Sequence, residues 1–489
     1  MSTEGMLIDG RFLAGEAGSR PVTDPATGET VGEAPEASLG QVSQAIAAAR
    51  RAQPAWGQLA PLARGQIMQR IAGLIRRDAE ALAMLVVREQ GKTIKEARGE
   101  IGGASAFFDY FAEFARRIQG EILPSDFAGE QIWIQRVPVG VVGAIIPWNY
   151  PAALVSRKVA PAMIAGNTIV LKPHEDTPLS ALHMARLFVE AGVPAGVVNI
   201  VTGRGETVGE ALTGSSDIDL LTMTGSVPTG KRIMARAAQN LTPVSLELGG
   251  KAPFIVMQDA DLDLAVRSAA TSRYMNCGQV CICNERTLVH ASIFEDFVDR
   301  FIAHSRTLKV GLPLDEATDI GPKFSRAELE KVEAMVAEAV AGGADVRLGG
   351  TRPTPLPTAG GHWYSPTVLT GLKPDMPILT HEIFGPVVPI LPFHDLEEAI
   401  AISNQSRYGL SAYLFTRDMP TIMKVINELS FGEVYVNRVG PEALQGFHVG
   451  YRDSGLGGDD GAHGLEAYLR KKTVYLNYSG GATAPLMPY

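Results

Sequence analysis

Between residues 137 and 250, short apolar stretches alternate with longer stretches whose apolar residues recur every three or four positions. The first kind, such as VVGAIIPW and NTIVLKP, has the length and β-branched content of buried strands. The second kind, such as SRKVAPAMIAG and SALHMARLFVEAG, has the period of an amphipathic helix. Strands that alternate with helices of about ten residues indicate parallel βαβ units. We therefore predict an α/β fold with a doubly wound parallel sheet, whose ligands bind beyond the carboxyl ends of the strands.

A second alternating region follows residue 250. The stretches FIVM, TLVH, PVVPILPF and GEVYVN have the character of strands, and helical periodicity begins at Asp261 and again at Phe294. We expect these stretches to form a second α/β domain, and we place the boundary near Gly249 and Gly250.

The two ends of the chain show other patterns. Gly, Pro, Thr and Asp separate short apolar pairs over residues 10–36, which predicts hairpins or an extended arm. From Pro61 apolar residues recur at helical spacing as far as Leu85, and Gly91 predicts the end of that helix. The tail, Leu469–Asn477, has the pattern of an isolated strand. Such a strand needs a partner, either in its own chain or in a neighbouring subunit.

The composition is that of a chain that forms a folded core, since 46% of the 489 residues are hydrophobic and 20% are charged. The net charge of −9 argues against a nucleic-acid partner, because proteins that bind a phosphate backbone have basic surfaces. No apolar run approaches the roughly 18 residues of a membrane span, and the first residues lack the pattern of a signal peptide. Three cysteines cannot form a disulfide framework. We therefore expect a cytoplasmic protein without a nucleic-acid or membrane partner.

Two glycine-rich segments follow predicted strands and open predicted helices, where backbone N–H groups and the helix dipole attract phosphate. The segment from Gly225 to Arg232 is similar to a P-loop, but Arg232 occupies the place of the magnesium-binding Ser or Thr. A P-loop nucleotidase is therefore disfavoured, whereas a cofactor that carries phosphate stays open. The segment from Gly203 to Gly209 is one residue too long for the pattern GxGxxG, and we interpret it as a tight turn.

All three cysteines, Cys277, Cys281 and Cys283, lie within seven residues. A metal site is disfavoured, because the spacing CxxxCxC supplies only three sulfurs, and the next histidine is His290. Buried, unreactive thiols are the simplest interpretation. The glycine and polar residues just before Cys281 favour an exposed turn, so a nucleophilic thiolate is a candidate. We predict no metal.

A nucleophilic cysteine needs an activating group, and Glu247 in SLELGGKAP is the natural candidate. It ends an apolar strand before two glycines, where desolvation would raise the pKa of its carboxyl group and make it a better base near neutral pH. A surface glutamate at a strand end is the simpler alternative. Asn149 lies in a loop with two prolines, where its amide could face a developing oxyanion or could only form a turn.

Six motifs resemble, in order and spacing, those of the aldehyde dehydrogenase superfamily: IIPWNYP, IVLKPHEDTP, MTGSVPTGK, LELGGKAP, NCGQVCICNER and EIFGPV. The resemblance covers essentially the whole chain. It implies a Rossmann-like NAD-binding domain over residues 1–118 and 139–250 and an α/β catalytic domain over residues 251–450. It also implies a small β oligomerisation arm, residues 119–138 and 466–489, whose tail strand joins another subunit of a homotetramer built from dimers.

The resemblance implies roles for individual residues. Cys281 matches the nucleophile, with its backbone N–H as an oxyanion donor, Glu247 matches the general base, and Asn149 matches the second oxyanion donor. Lys158 matches a lysine that the family places nine residues after this Asn, and we include it among the catalytic candidates. The positions that match cofactor-binding residues of the family are Ile146, Trp148, Lys172, Glu175, Gly225, Ser226, Glu382 and Phe384.

These roles describe the oxidation of an aldehyde to a carboxylic acid. The Cys281 thiolate adds to the aldehyde carbon, Asn149 stabilises the alkoxide, and hydride leaves for the nicotinamide. Glu247 then activates the water that hydrolyses the thioester, and its presence favours hydrolysis over transfer to coenzyme A. A carboxylate accepts hydrogen bonds from a free ribose 2′-hydroxyl and repels a 2′-phosphate, so Glu175 predicts NAD rather than NADP.

The region 436–448 and the run SGLGGDDGAHGLEAYL resemble the lactaldehyde and glycolaldehyde dehydrogenase branch of the superfamily, in which residues matching Arg157, Glu442 and His448 contact a small hydroxylated substrate. We therefore expect a small hydroxyaldehyde as the substrate, with a semialdehyde or betaine aldehyde as the alternative. A solvated loop is the simpler interpretation of Glu442 and His448. Ile282 stands where that branch has a polar Asn, which favours a more apolar or larger aldehyde.

Overall fold

The computed structural model describes residues 5–479. Two large sheets organise this part of the chain, one with eight strands and one with seven. Residues 1–4 and 480–489 lie outside the described part, so the predicted segments 1–118 and 466–489 are covered only in part.

The strands are short, and each is bounded by turns or by the start of a helix. Within the described part of the chain they are β1 (Met6–Ile8), β2 (Arg11–Leu13), β3 (Ser19–Thr23), β4 (Thr30–Pro35), β5 (Glu121–Pro124), β6 (Glu130–Pro138), β7 (Val141–Ile145), β8 (Thr168–Lys172), β9 (Val198–Ile200), β10 (Leu220–Thr224), β11 (Val244–Glu247), β12 (Ala252–Val256), β13 (Asn284–His290), β14 (Asp345–Leu348), β15 (Thr367–Thr370), β16 (Val387–Phe393), β17 (Tyr408–Gly409), β18 (Ser411–Phe415), β19 (Glu433–Val436), β20 (Tyr451–Arg452), β21 (Gly455–Leu456) and β22 (Leu469–Asn477).

The α-helices range from four to 20 residues. Between residues 5 and 479 they are α1 (Leu39–Gln58), α2 (Pro61–Arg77), α3 (Ala79–Gln90), α4 (Ile94–Ala112), α5 (Pro151–Ala165), α6 (Leu179–Glu190), α7 (Glu210–Thr213), α8 (Val227–Ala237), α9 (Leu262–Tyr274), α10 (Phe294–Ser305), α11 (Arg326–Ala341), α12 (Pro377–Thr380), α13 (Leu396–Asn404), α14 (Met419–Glu428) and α15 (Gly461–Glu466). None of the helices in this range is long and apolar enough to cross a membrane.

The eight-stranded sheet has the order β2-β1-β9-β8-β7-β10-β11-β21. Its five central strands are parallel, and the chain passes from β7 through α5, β8 and α6 to β9 before it returns to β10 on the other side of β7. This change of direction between β7 and β10 is a topological switch point, where a doubly wound sheet opens a crevice for a ligand. The sheet confirms the predicted α/β class.

The seven-stranded sheet has the order β14-β15-β16-β13-β12-β18-β19. Its strands pair in parallel except for β14 and β15. The chain crosses from the first sheet to the second between β11 and β12, near the predicted boundary at Gly249 and Gly250. The turn that carries the cysteines lies between α9 and β13 of this second sheet.

The region predicted as one helix from Pro61 to Gly91 is two helices, α2 and α3, which meet at Asp78. The backbone of Asp78 has φ −97° and ψ 16°, outside the helical range, and its carboxylate accepts a hydrogen bond from Arg77 Nε. This carboxylate caps no backbone N–H of α3, and the apolar spacing continues across the break, so apolar periodicity alone did not predict it. Gly91 ends α3 with a left-handed φ of 95°.

The tail strand β22 pairs with β6 of its own chain in an antiparallel register over nine residues, and β5 pairs with the other edge of β6. The own-chain partner is thus the one found, and β22 forms the outer edge of this three-stranded sheet within the described residues. The prediction that the tail also joins another subunit stays a prediction. An edge strand has one row of backbone N–H and C=O groups available for a further strand.

Candidate active site

A cavity of about 630 Å³ lies beyond the carboxyl ends of β7 and β10, where residues of both large sheets meet. This is the crevice that the switch point between β7 and β10 creates. Ten of the residues predicted from the sequence line it: Trp148, Asn149, Arg157, Gly225, Ser226, Cys281, Glu382, Phe384, Glu442 and His448. The other five predicted residues, Ile146, Lys158, Lys172, Glu175 and Glu247, are not part of this lining.

Cys281 is half-buried in the turn before β13 and faces the cavity. Cys277 and Cys283 are fully buried, and burial raises the pKa of each thiol to about 12. All three cysteines are free thiols. No group of three potential metal ligands occurs among the residues 5–479. The cysteine cluster therefore contains one accessible thiol, Cys281, and two buried thiols. Thiols buried in apolar surroundings are unreactive.

Buried hydrogen bonds fix the shape of the cysteine turn. Arg273 of α9 is fully buried and donates to the backbone carbonyl oxygens of Asn284 at 2.8 Å and Gly385 at 2.8 Å. Gly278 adopts a left-handed φ of 73°, and a Cβ at this position would collide with the Gly385 carbonyl. Glycine is needed here because the turn passes so close to another backbone segment.

Asn149 lies in the loop between β7 and α5, beside the cysteine turn. Its side-chain Nδ2 donates to the Gln279 backbone carbonyl oxygen at 3.0 Å. The backbone carbonyl oxygen of Asn149 accepts from Lys92 Nζ at 2.8 Å and from Asn276 Nδ2 at 3.1 Å. The loop is therefore anchored to the turn that carries Cys281. One N–H of the amide is engaged in this way, and an asparagine amide has two.

Two buried charged residues that were not predicted from the sequence, Lys92 and Glu100, anchor this loop and the start of α5. Lys92 Nζ lies 2.6 Å from Glu100 Oε2, and both side chains are fully buried. The other carboxylate oxygen of Glu100 accepts the N–H groups of Ala152 and Ala153 at the start of α5. Glu100 lies three residues after the buried Ala97 and so on the same face of α4, and a charged residue among these small and apolar positions was the available signal.

Glu247 ends β11 and is only 2% exposed, which rules out the surface-glutamate alternative. Neither carboxylate oxygen has a hydrogen-bond partner among the described residues. Burial raises the pKa of Glu247 well above its ordinary value. His448 Nε2 lies 3.7 Å from Glu247 Oε2. His448 lines the cavity, and Glu247 is not among the lining residues.

Arg157, Glu442 and His448 meet at one end of the cavity, which excludes the interpretation of Glu442 and His448 as a solvated loop. The Arg157 guanidinium forms hydrogen bonds with both Glu442 and Asp460, and its Nε lies 3.0 Å from Asp460 Oδ1. His448 Nδ1 lies 3.1 Å from Glu433 Oε1. Arg157 was expected to contact substrate directly, but its charge is already balanced by two carboxylates of the protein.

At this end of the cavity, neighbouring charges outweigh the effect of burial on the pKa values of Glu442 and His448. Burial alone would raise the pKa of Glu442, but Arg157 and His448 outweigh burial and hold it at about 2. Burial and Arg157 would lower the pKa of His448, but Glu442, a hydrogen bond with Cys281 and Glu433 outweigh them and raise it. The result is an anionic Glu442 beside a cationic imidazole.

Lys158 is fully buried on α5, next in sequence to Arg157, and its Nζ lies 2.6 Å from Asp459 Oδ2. Asp459, Asp460 and Glu433 were not singled out from the sequence. The signal was present, because GGDDG places two adjacent acidic residues just before the short helix α15. Aspartates at the start of a helix are also typical of helix caps, so this pattern alone does not predict partners of a buried Arg–Lys pair.

The opposite side of the cavity has the features of a dinucleotide site. Gly225 and Ser226 follow β10, and Ser226 is the N-cap of α8, whose first N–H groups face the cavity end of the sheet. Thr224, also in the lining, has a hydroxyl without a hydrogen-bond partner among the described residues. Trp148 stacks on Phe324 with ring centroids 4.3 Å apart and contacts the edge of Phe384. These residues fit a cofactor with a phosphate group and a planar ring.

Glu382 is close to this side and bonds to the backbone, since its Oε1 accepts the Gly250 N–H at 2.8 Å. Burial, followed by the charge of Glu285, raises the pKa of Glu382 to about 7. Lys172 and Glu175 are not among the residues that line the cavity, and Lys172 Nζ lies 2.9 Å from Glu175 Oε2. Burial alone would raise the pKa of Glu175, but Lys172 and His174 hold it at about 2. Ile146 is buried at the end of β7, beside Lys172.

A family model described as the aldehyde dehydrogenase family matches residues 12–474. The chain therefore belongs to the aldehyde dehydrogenase family, and it is an oxidoreductase that acts on aldehydes with a nicotinamide cofactor. The resemblance seen in the six sequence motifs is confirmed.

Two relatives and one solved structure are among the proteins similar to this chain. The chain is 47% identical to a 3,6-anhydro-alpha-L-galactose dehydrogenase of Streptomyces coelicolor, over 96% of each chain. It is 45% identical to the lactaldehyde dehydrogenase of Escherichia coli, over 96% of this chain and 98% of the relative. The solved structure of a 3,6-anhydro-L-galactose dehydrogenase in complex with NAP has a TM-score of 0.95 and 44% identity, and covers 97% of this chain and 100% of that one.

Proposed function

We propose that the protein oxidises small hydroxyaldehydes, such as lactaldehyde or glycolaldehyde, to the carboxylic acids with NAD. The observation that carries this proposal is the position of Cys281 in a cavity whose inner end presents Glu442 and His448. These side chains can exchange hydrogen bonds with a hydroxyl group next to the aldehyde carbon. A site that pairs with a substrate hydroxyl rejects aldehydes that lack one, because its own polar groups are then left unpaired.

The first step is the addition of Cys281 Sγ to the aldehyde carbon. The carbonyl oxygen becomes an alkoxide, which receives N–H groups from the Asn149 amide and the Cys281 backbone. The anchoring of Asn149 to Gln279 and Lys92 holds the amide in place before the substrate arrives. Preorganised donors stabilise the developing charge without reorganisation during the reaction.

The residues that would hold the cofactor are Gly225 and Ser226 at the pyrophosphate, Lys172 and Glu175 at the adenosine ribose, and Glu382, Phe384, Trp148 and Ile146 nearer the nicotinamide. When bound, the nicotinamide supplies the acceptor for the hydride of the thiohemiacetal. The chain's own contribution is to keep Cys281 on the same cavity as five of these residues, Trp148, Gly225, Ser226, Glu382 and Phe384.

Glu247 acts after the thioester has formed on Cys281. It takes a proton from the water that attacks the thioester carbon, and the carboxylic acid is released. Burial raises its pKa, which makes the ionised carboxylate a stronger base. Among the neighbouring charges His448 opposes burial most, whereas Lys158 has a smaller effect that its partner Asp459 offsets.

The charges at the inner end support a neutral hydroxyaldehyde over a semialdehyde. Arg157 would be the natural partner for a substrate carboxylate, but Asp460 and Glu442 already neutralise it. A second anionic group from the substrate would face Glu442, which stays ionised. A quaternary ammonium aldehyde is disfavoured as well, because it offers no hydroxyl to the polar groups there and requires an aromatic cage.

A larger hydroxylated aldehyde is the second candidate. Ile282 is buried beside Cys281 and lines the cavity together with Phe107 and Leu154, so the wall nearest the sulfur is apolar. One relative is named a 3,6-anhydro-alpha-L-galactose dehydrogenase, which supports a sugar-derived aldehyde with the same hydroxyl pattern.

A panel of aldehydes scored by NADH formation tests the substrate proposal. It should include lactaldehyde, glycolaldehyde, glyceraldehyde, propionaldehyde, succinate semialdehyde and betaine aldehyde. We expect the hydroxyaldehydes to have kcat/KM values at least about tenfold above propionaldehyde and the semialdehyde. A higher kcat/KM for propionaldehyde or succinate semialdehyde would refute the proposed role of Glu442 and His448.

We further propose that the two sheets correspond to an NAD-binding domain, residues 1–118 and 139–250, and a catalytic domain, residues 251–450. The segments 119–138 and 466–489 would form the arm through which chains assemble as a homotetramer. The exposed edge of β22 supports this assembly. Three free thiols support a reducing compartment, the cytoplasm.

A further inference from the structure

The turn from Glu382 to Gly385, which we call the cofactor turn, has an unusual backbone. Phe384 adopts a left-handed φ of 54°. A bulky residue rarely takes this conformation, which persists only where the surrounding structure fixes it. Glu382 and Phe384 both line the cavity, and the Phe384 ring meets the Trp148 ring edge-on with centroids 5.5 Å apart. The residue that fixes the cofactor turn therefore sets where these side chains lie.

That residue is Glu285 of β13, which is buried. Its Oε2 accepts the Ile383 N–H at 2.8 Å, and its Oε1 accepts the Phe384 N–H at 3.1 Å. Successive backbone N–H groups that point to one anion form the concave arrangement that many proteins use to bind anions. Here the anion is a side chain of the protein itself. Glu285 thus holds two successive peptide groups of the cofactor turn.

Two buried cations accompany Glu285. Lys251 Nζ lies 2.7 Å from its Oε2, and Arg273 Nη1 lies 2.8 Å from its Oε1. Burial would raise the pKa of Glu285, but Arg273 and Lys251 outweigh burial and hold it at about 2. The acceptor of the two N–H groups is therefore ionised, and hydrogen bonds to an ionised acceptor are stronger than those to a neutral one.

Arg273 connects the same cluster to the turn that carries Cys281. Its Nε donates to the Gly385 carbonyl oxygen at 2.8 Å, and its Nη2 donates to the Gly278 carbonyl oxygen at 3.3 Å. Gly278 lies three residues before Cys281, and Glu285 lies four residues after it. The pair of Arg273 and Glu285 therefore contacts the cofactor turn and also the chain on both sides of the proposed nucleophile.

We propose that Glu285 is a positioning residue that sets the distance between the Cys281 sulfur and the nicotinamide ring. Hydride transfer needs its two reacting atoms about 3–3.5 Å apart, and a displacement of about 1 Å can cost about 100-fold in rate. Without the Glu285 acceptor, the cofactor turn is free to move away from the turn that carries Cys281, although every group that reacts is still present. The proposal rests on the proposed function, because it takes Cys281 as the nucleophile and Glu382 and Phe384 as cofactor contacts.

Two replacements of Glu285 test this role. Glu285→Gln removes the charge and leaves Lys251 and Arg273 buried without it, which can prevent folding. Glu285→Asp keeps the counter-charge and shortens the side chain by one methylene, so we expect it to fold. Glu89→Gln is the matched control, because Glu89 is also fully buried and accepts two successive backbone N–H groups at the start of α6, a helix with no residue in the cavity lining.

Three measurements separate a positioning role from a merely structural one. Fluorescence titration gives the dissociation constant of NADH in the absence of aldehyde. The rate of Cys281 alkylation by iodoacetamide, measured without cofactor, reports on the turn that carries the sulfur, and Cys281→Ser gives the background because Cys277 and Cys283 are buried. Stopped-flow mixing of the enzyme–NAD complex with lactaldehyde gives the rate of NADH formation in the first turnover.

We expect both Glu285 variants to lower the first-turnover rate at least about tenfold and to weaken NADH binding at least about threefold, while Cys281 is alkylated within about twofold of the wild-type rate. Glu89→Gln should leave all three quantities unchanged.

The proposal is overturned if either the NADH affinity or the first-turnover rate of the Glu285 variants matches that of Glu89→Gln. It is also overturned if the alkylation rate falls in parallel with the first-turnover rate, or if Glu285→Asp does not fold, because Glu285 would then have a structural role only. If propionaldehyde has a higher kcat/KM than lactaldehyde, the proposed function fails instead. NADH binding and alkylation need no aldehyde and still decide the role of Glu285.

Discussion

At the scale of the single residue, Glu247 shows how the fold can work against an ionised group. Its carboxylate is buried at the end of β11 without a hydrogen-bond donor among the described residues. A buried, unpaired carboxylate raises the free energy of the folded state whenever it is ionised. Burial of Glu247 therefore lowers the stability of the folded state at neutral pH and raises the pKa of the carboxyl group.

The replacement Glu247→Gln should raise the melting temperature at pH 8. The folded-state pKa lies above the unfolded value, so the native side chain contributes stability below the unfolded pKa and loses it as the pH rises through the folded pKa. Glutamine imitates the protonated form and removes this loss. We expect a rise of about 2 °C or more at pH 8 and little change near pH 4, measured by thermal unfolding with Glu206→Gln as an exposed control. A lower melting temperature at pH 8 would contradict this account.

We propose that the Glu175 carboxylate selects NAD over NADP. It stays ionised because Lys172 and His174 hold its pKa at about 2, so it repels a 2′-phosphate at every working pH. We expect Glu175→Gln to lower the ratio of kcat/KM for NAD to that for NADP at least about tenfold. Asp176→Asn is the matched control, since this neighbouring carboxylate pairs with Arg20 instead. Equal or better use of NADP by the wild type would show the prediction of NAD to be wrong.

At the scale of the element, α5 connects the site to the rest of the fold. Arg157 and Lys158 leave the helix side by side and pair with Asp460 and Asp459, the two residues before α15. At the start of α5, Glu100 accepts N–H groups of its first turn and so orients the Asn149 loop. The first turn of α5 is thus fixed beside the Asn149 loop, and its middle is fixed at Asp459 and Asp460.

Removing the charge from Asp459 tests this connection. In Asp459→Asn the Lys158 ammonium stays buried without its counter-charge, and breaking a buried pair in this way costs about 3–5 kcal/mol. The melting temperature should fall by several degrees, whereas Asp315→Asn, which breaks an exposed pair with Lys309, should leave it nearly unchanged. Equal melting temperatures for the two variants would mean that the pair does not stabilise the position of α5.

The sequence predicted these elements better than their connections. Apolar patterns located β7 and β8 of the first sheet and β12, β13, β16 and β19 of the second, but not β14, β15 or β18. The motifs indicated Cys281, Glu247 and Asn149, because a motif depends on residues close in the chain. The partners of Arg157 and Lys158 lie about 300 residues away, and no local pattern links them. The break at Asp78 was missed for a different reason, since the apolar spacing continues from α2 into α3 and gives no stop signal there.

At the scale of the whole molecule, the three-stranded sheet has apolar side chains that are exposed to solvent. Leu123, Ile132 and Tyr475 are aligned across β5, β6 and β22, and side chains aligned across neighbouring strands share one face of the sheet. Leu123 is 40% exposed and Tyr475 is 69% exposed. We propose that this exposed apolar row beside an open strand edge contacts another copy of the chain.

The double variant Leu123→Lys/Tyr475→Lys tests this assembly. Two buried charges at a subunit contact should prevent it, because neither lysine would have a partner there. We expect light scattering to give the mass of four chains for the wild type and of two chains or fewer for the variant. Met423→Lys is the control, an exposed methionine on α14 in the second sheet's region. A wild type that is monomeric, or a variant with unchanged mass, would contradict the proposed arm.

The central claim is that oxidation proceeds through an acyl group on Cys281 that Glu247 then releases. Glu247→Gln should therefore form the thioester and hydrolyse it at least about 100-fold more slowly than the wild type. Mass spectrometry of this variant, quenched after mixing with lactaldehyde and NAD, should find the lactoyl group on the peptide that contains Cys281, together with about one NADH per chain. An unmodified Cys281 peptide after NADH has formed, or steady turnover by Cys281→Ala, would contradict the account.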